Sequence, residues 1–102
     1  MSHEAPHEKI DEVIHQRVRL GIVSSLAAVE GLEFTELRAL LGLTDGNLST
    51  HARVLEEAGY VEIEKSFKGR KPQTVLRLTA AGREAFTRYV DTLERMLRGG
   101  VR

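Results

Sequence analysis

A chain of 102 residues, with 15 Lys and Arg balanced by 15 Asp and Glu and with no cysteine, is long enough for one domain and leaves little room for a second. Zero cysteine excludes disulfides, thiolate zinc sites and thiol-based sensing. At 41% hydrophobic and 29% charged the composition is that of a folded, soluble chain, and no apolar run approaches the roughly 18 residues of a membrane span.

The opening MSHEAPHEKIDE is polar and acidic rather than a secretory signal, so the expected compartment is cytoplasmic. Residues 1–9 read as a flexible arm in which Pro6 stops any early helix, and residues 10–102 as the domain. From about Ile10 the apolar positions Ile10, Val13, Ile14, Val18, Ile22, Leu26 and Val29 predict a first helix, closed by Gly31 as a C-terminal cap. Phe34, Leu37, Leu40 and Leu41 predict a short second helix ended by Gly42. Thr44 or Asp45 can cap a third helix that runs to about Ala58 and closes at Gly59.

The period then changes from helix to strand. Val61 and Ile63 face one way, Glu62 and Glu64 the other; Thr74 to Thr79 repeats the alternation with Leu76 and Leu78 inward and Arg77 outward. Arg77 can then face the two glutamates across a hairpin, a surface pair worth under roughly 1 kcal/mol. Lys68 to Gln73 reads as a loop too long for a tight two-residue turn. Thr79 caps a last helix, about 79–98, whose stripe is Phe86, Tyr89, Val90, Leu93, Met96 and Leu97. Gly99 and Gly100 end it.

The fold class is α+β, mostly α: three helices, a β-hairpin and a C-terminal helix. Two short helices joined by Gly42-Leu43-Thr44-Asp45 have the form of a helix-turn-helix. On a helical wheel Leu48, Ala52 and Leu55 make the buried stripe of the third helix, and Gly46, Ser49, Thr50, Arg53 and Glu57 lie opposite, with Asn47 and His51 on the flank. A helix entering the major groove needs small residues for close approach, hydroxyls for phosphates or bases, and an arginine for guanine. Its N-terminus adds amide donors for a phosphate. Serine, threonine and arginine also occur on any solvated helix, so this face alone decides little. The charge pattern adds weight. Residues 1–34 carry −3, whereas Lys65, Lys68, Arg70, Lys71 and Arg77 stand in a segment with no acidic residue, and such a cluster attracts polyanions. Recognition helix followed by basic hairpin is the order of a winged helix.

The run Gly42 to His51, the run Leu55-Glu56-Glu57-Ala58-Gly59-Tyr60-Val61, the wing Lys65 to Pro72 and Leu78-Thr79-Ala80-Ala81-Gly82-Arg83 resemble the MarR/ArsR-type winged-helix transcription regulators, above all their small stand-alone members. The resemblance covers about Val13 to Leu97. It implies a homodimer on a pseudo-palindromic operator in double-stranded DNA, in the manner of a repressor, with the third helix in the major groove and the wing at the minor groove. Thr44, Asn47, Ser49, Thr50 and Arg53 match the recognition-helix contact positions, His51 a position near the backbone, and Lys68, Arg70 and Lys71 the wing tip, with Lys65 at the wing's base. Asp45 is expected to cap the helix rather than touch DNA. The chain lacks the cysteines of the thiolate metal sensors and is shorter than full MarR proteins. A small-molecule effector is left open. A dimer interface is expected from Phe86, Tyr89, Val90, Leu93, Met96 and Leu97 together with Ile10, Val13 and Ile14; the alternative is that the last helix folds back on its own subunit.

Other readings are weaker. Asp45, Ser49 and His51 supply the residue types of a hydrolase trio but point apart on the wheel, with no nucleophile elbow nearby, so no enzyme is expected. His3, His7, Asp11 and His15 are spaced by four, as metal ligands on one helical face would be, yet Pro6 and the polar arm favour solvated histidines; no cofactor or metal is expected. The runner-up function is a winged-helix protein–protein interaction module without sequence-specific DNA binding.

Overall fold

The computed structural model of the chain describes residues 5–100. Four helices, α1 (Arg17–Ala27), α2 (Phe34–Leu41), α3 (Asp45–Glu57) and α4 (Ala80–Arg95), accompany three strands, β1 (Leu32–Glu33), β2 (Val61–Lys68) and β3 (Lys71–Leu78). The sheet is antiparallel in the order β1-β3-β2. Ile22, Val23 and Leu26 of α1, Leu37 of α2, Leu48 and Leu55 of α3, Val61 and Leu76 of the sheet and Ala85 and Tyr89 of α4 form one core, joined by Ile14. The fold is the winged helix expected from the order of elements.

The first helix starts at Arg17, not near Ile10. Pro6–Lys9 makes a 3-10 turn with Pro6 in its first turn. Beyond it Asp11 Oδ1 accepts the N–H groups of Val13 at 2.9 Å and Ile14 at 3.4 Å, which offers the backbone an alternative to the helix. The other oxygen of Asp11 accepts the hydroxyl of Tyr60. That bond, with burial second, holds the Tyr60 phenol above its ordinary pKa. Gln16 is the actual cap, its side-chain oxygen accepting from Arg19 N–H at 2.9 Å. The helix ends at Ala27, so Gly31 does not cap it. Gly31 instead lets the chain pass close to β3: a Cβ there would stand 3.2 Å from Val75 Cγ1 and 3.3 Å from the Leu76 carbonyl.

The α2–α3 turn follows the expectation. Gly42 is left-handed, and the N–H groups of Gly42 and Leu43 return to the carbonyls of Ala39 and Arg38, a Schellman closure. Gly59 and Tyr60 repeat it at the end of α3, bonding to Glu56 and Leu55. Thr44 caps α3, its Oγ1 accepting from Asn47 N–H at 3.1 Å. Asp45 does not cap: it is the first helical residue and its carboxylate pairs with Arg38 of α2.

The hairpin corrects the reading of a long loop. Lys68 pairs with Lys71, leaving Gly69 and Arg70 as a two-residue turn. Gly69 has φ +66°, the positive value that such turns require at their first central position. Pro72, which suggested a loop, sits inside β3 opposite Phe67. Counting outward from the closing Lys68–Lys71 pair, the Pro72 nitrogen points away from β2. On that side β1 reaches only Val75 and Leu76, so no ladder bond is lost. The two-residue β1 is too short to carry a periodicity of its own; it exists because Leu32 and Glu33 pair with β3.

Thr79 caps α4 as expected, accepting from Gly82 N–H at 2.9 Å. A single wider turn, Met96–Gly100, closes the helix, with Gly99 at φ +84°.

Candidate nucleic-acid interface

Helix α3 is held from behind and open in front. Leu48, Ala52 and Leu55 are buried, while Gly46, Asn47, Ser49, Thr50, Arg53 and Glu57 are exposed. The wheel therefore divides the helix as the sequence implied. Thr44 stands at its exposed start; a hydroxyl that accepts the capping bond keeps its own hydrogen for a phosphate. Arg38 beside Asp45 offsets the carboxylate at the end of the helix where anions bind best.

His51 is half-buried on the flank facing α1. Arg19 NH1 lies 3.0 Å from its Nδ1, and the Arg19 Nε donates to the Val13 carbonyl. A guanidinium only donates, so Nδ1 accepts and the imidazole carries its proton on Nε2. Burial first, and the Arg19 charge second, hold the pKa of His51 below its ordinary value. At neutral pH the residue is a neutral N–H donor at the edge of the helix.

The wing rises beside this face. Between them runs a groove of about 590 Å³, lined by Ser49, Arg53 and Glu56 of α3, by Lys65 and Thr74 of the wing, and by Phe34, Ala52, Ile63 and Leu76 at its floor. Lys65 thus shares the groove with Arg53, while Lys68, Arg70 and Lys71 are exposed at the tip. Arg77, the fifth cation of the segment, is engaged: its guanidinium meets Glu64 at 2.9 Å, the cross-strand pair read from the alternation. Lys68 and Lys71 stand directly opposite one another, and like charges so placed destabilise a hairpin. An anion between them removes the conflict. Gln73 anchors the wing's base, donating to Glu33 Oε1 at 2.7 Å beside the start of α2.

The expected dimer residues divide. Ile14 and Tyr89 are buried within the subunit, and Tyr89 OH lies 2.9 Å from His15 Nδ1. Ile10, Val13, Phe86, Leu93 and Met96 are half-buried, whereas Val90 and Leu97 are exposed. The residue types of a hydrolase trio do not come together. Asp45 binds Arg38, His51 faces Arg19 and Ser49 opens into the groove. His3 lies outside the described residues. Among the described residues no three His, Cys, Asp or Glu side chains converge on a metal position, and no helix is long and apolar enough to cross a membrane. Two residues of interest escaped the sequence reading. Arg19 lies 32 positions before His51, with no local signal. Phe67 could have been found by extending the alternation Val61, Ile63, Lys65 one step.

A helix with an open polar face, beside a cationic two-stranded wing on one side of a helical core, defines the winged-helix class of DNA-binding proteins. The family model described as a winged helix DNA-binding domain matches residues 18–97, and the chain belongs to that family. An uncharacterised protein of Methanocaldococcus jannaschii is 39% identical over 79 residues, covering 78% of this chain and 86% of that protein. A transcriptional regulator homologue from Pyrococcus horikoshii is similar in structure, with a TM-score of 0.83 and 34% identity over 90% of this chain and 91% of that one. The regulator MarR shares the fold, with a TM-score of 0.71 and 21% identity over 82% of this chain and 61% of MarR.

Proposed function

We propose that this protein is a sequence-specific regulator of transcription that binds a pseudo-palindromic operator in double-stranded DNA as a homodimer and represses by blocking the promoter. The observation that carries the reading is the groove: the polar face of α3 and the cationic wing border one open channel, with Arg53 and Lys65 on its two sides. In this reading α3 enters the major groove, where Asn47, Ser49, Thr50 and Arg53 reach base edges. Thr44 and His51 hold phosphates beside them. Lys65, Lys68, Arg70 and Lys71 neutralise phosphates along the wing. The transcriptional regulator homologue of Pyrococcus horikoshii, similar along nearly its whole length, supports a regulatory role. The half-buried and exposed apolar residues of α4 supply the surface for a second copy.

Fluorescence anisotropy with random duplex DNA at low salt is the first test. Binding is expected, and log K should fall linearly with log salt, by about 0.9 per phosphate neutralised. Arg70→Ala with Lys71→Ala should weaken binding to all sequences alike and flatten that slope. Arg53→Ala should relax sequence preference, at a cost of roughly 1–3 kcal/mol on the preferred site. An exchange of these two outcomes overturns the assignment of roles. No binding at low salt overturns the DNA reading and favours a protein partner.

A further inference from the structure

Phe67 is 73% exposed, although a phenyl ring has more to gain from burial than most side chains. Its direction follows from the strand. Successive side chains alternate, so Val61, Ile63, Lys65 and Phe67 share one face of β2. Val61 is core, Ile63 and Lys65 line the groove beside α3, and Phe67 is the next step outward. Its cross-strand neighbour is Pro72, also exposed. The wing therefore ends in a small apolar tip on its groove side, with Lys68 and Lys71 on the opposite face and Arg70 in the turn. No acidic residue lies between Lys65 and Arg77. Two apolar side chains set among four cations suit a polyanion with apolar walls, which describes the minor groove of a duplex, bounded by deoxyriboses between two rows of phosphates.

The geometry points to Phe67 as a wedge that enters the minor groove of duplex DNA and opens a base step while the surrounding cations hold the flanking phosphates. This inference rests on the DNA-binding reading and adds a specificity-determining residue to it. Apolar wedges unstack and kink DNA, and the cost is lowest at pyrimidine–purine steps such as TpA. Phe67 thereby gives the wing a sequence preference without a hydrogen bond to a base.

The test uses two duplexes of equal length, one of alternating thymine and adenine, in which every second step is TpA, and one an adenine tract, stiff and without such steps. Adenines are replaced in part by 2-aminopurine, which brightens when unstacked. The wild-type protein should brighten the alternating duplex. Phe67→Ala should abolish the brightening and lower the affinity ratio of alternating to tract duplex roughly tenfold, with the salt slope unchanged. Phe67→Leu, which keeps an apolar wedge, should retain the brightening. Salt-dependent binding of the wild type without brightening, or equal brightening by Phe67→Ala, overturns the wedge and leaves the DNA reading standing. Failure of the wild type to bind either duplex overturns both.

Discussion

His51 stands where α3 meets α1, and its chemistry is set by burial and by a residue far away in sequence. Arg19 donates to Nδ1 at 3.0 Å, so a protonated imidazole would set a donor against a donor and a cation against a cation. Burial acts in the same direction and is the larger cause of the lowered pKa. The folded state therefore binds a proton less readily than the unfolded chain, whose imidazole has the ordinary value of about 6.5. In the window between that value and the lower folded one, the unfolded state holds more protons, and stability rises with pH. The contribution of His51 is thus fully present above the ordinary imidazole pKa and lost as pH falls through the folded one. Denaturation midpoints across this range should show the wild type losing stability relative to His51→Gln on acidification. A wild type that gains on the variant as pH falls would place the charged imidazole, not the neutral one, against Arg19.

At the level of elements, α4 is seated by a close approach over the turn that ends α3. A Cβ on Gly82 would stand 2.1 Å from the Tyr60 carbonyl oxygen and 2.8 Å from Leu78 Cδ1. The first of these is backbone, itself engaged by Thr79 N–H at 3.0 Å, and cannot move aside alone. Gly82→Ala should lower stability by at least about 1–3 kcal/mol, read as a depressed thermal midpoint. Gly46→Ala, with nothing within 4 Å of its added carbon, serves as the control, and its thermal midpoint should not fall. An unchanged midpoint for Gly82→Ala would show that α4 can lift from the turn. Elements decided by local chemistry were legible in the sequence. The caps at Thr44 and Thr79, the stops at Gly42 and Gly59, the buried stripe of α3 and the alternation of β2 each depend on residues a few positions apart. Elements decided by distant partners were not. Asp11 breaks the first helix with the help of Tyr60, 49 residues on; β1 is a strand only because β3 lies beside it; and Pro72 is tolerated because β1 stops short. The same division runs through the candidate site. The face of α3 and the wing cations could be read from spacing, whereas the contact of Arg19 with His51 and the exposure of Phe67 depend on the fold.

The described residues form an elongated body, 57 Å by 24 Å by 21 Å, and α4 is covered on one side only. Gly82, Ala85, Tyr89 and Thr92 are buried, while Phe86, Val90, Leu93 and Leu97 fall about 90° round the helix at the spacing i, i+4, i+7, i+11. That second stripe runs from half-buried Phe86 to Leu97, which is 86% exposed, and repeats as a helix–helix seam does. A single copy has one third helix and one wing, enough for half of a two-fold operator. A second copy seated on this stripe would present two third helices, and recognition helices of such dimers lie about 34 Å apart, one turn of DNA. Light scattering at micromolar concentration should therefore give twice the mass of the chain. Val90→Glu with Leu97→Glu places like charges on both sides of the two-fold axis and should yield a monomer. Both residues lie outside the buried core, so the helical signal and thermal midpoint of the isolated subunit should survive. Binding to an operator duplex should then weaken by orders of magnitude, because two linked half-site contacts become two separate ones, whereas weak binding to a single half-site should remain. A wild-type chain that scatters as a monomer removes the dimer but not the interface on α3 and the wing. A double variant that stays dimeric moves the contact to another face, with Ile10 and Val13 the next residues to change.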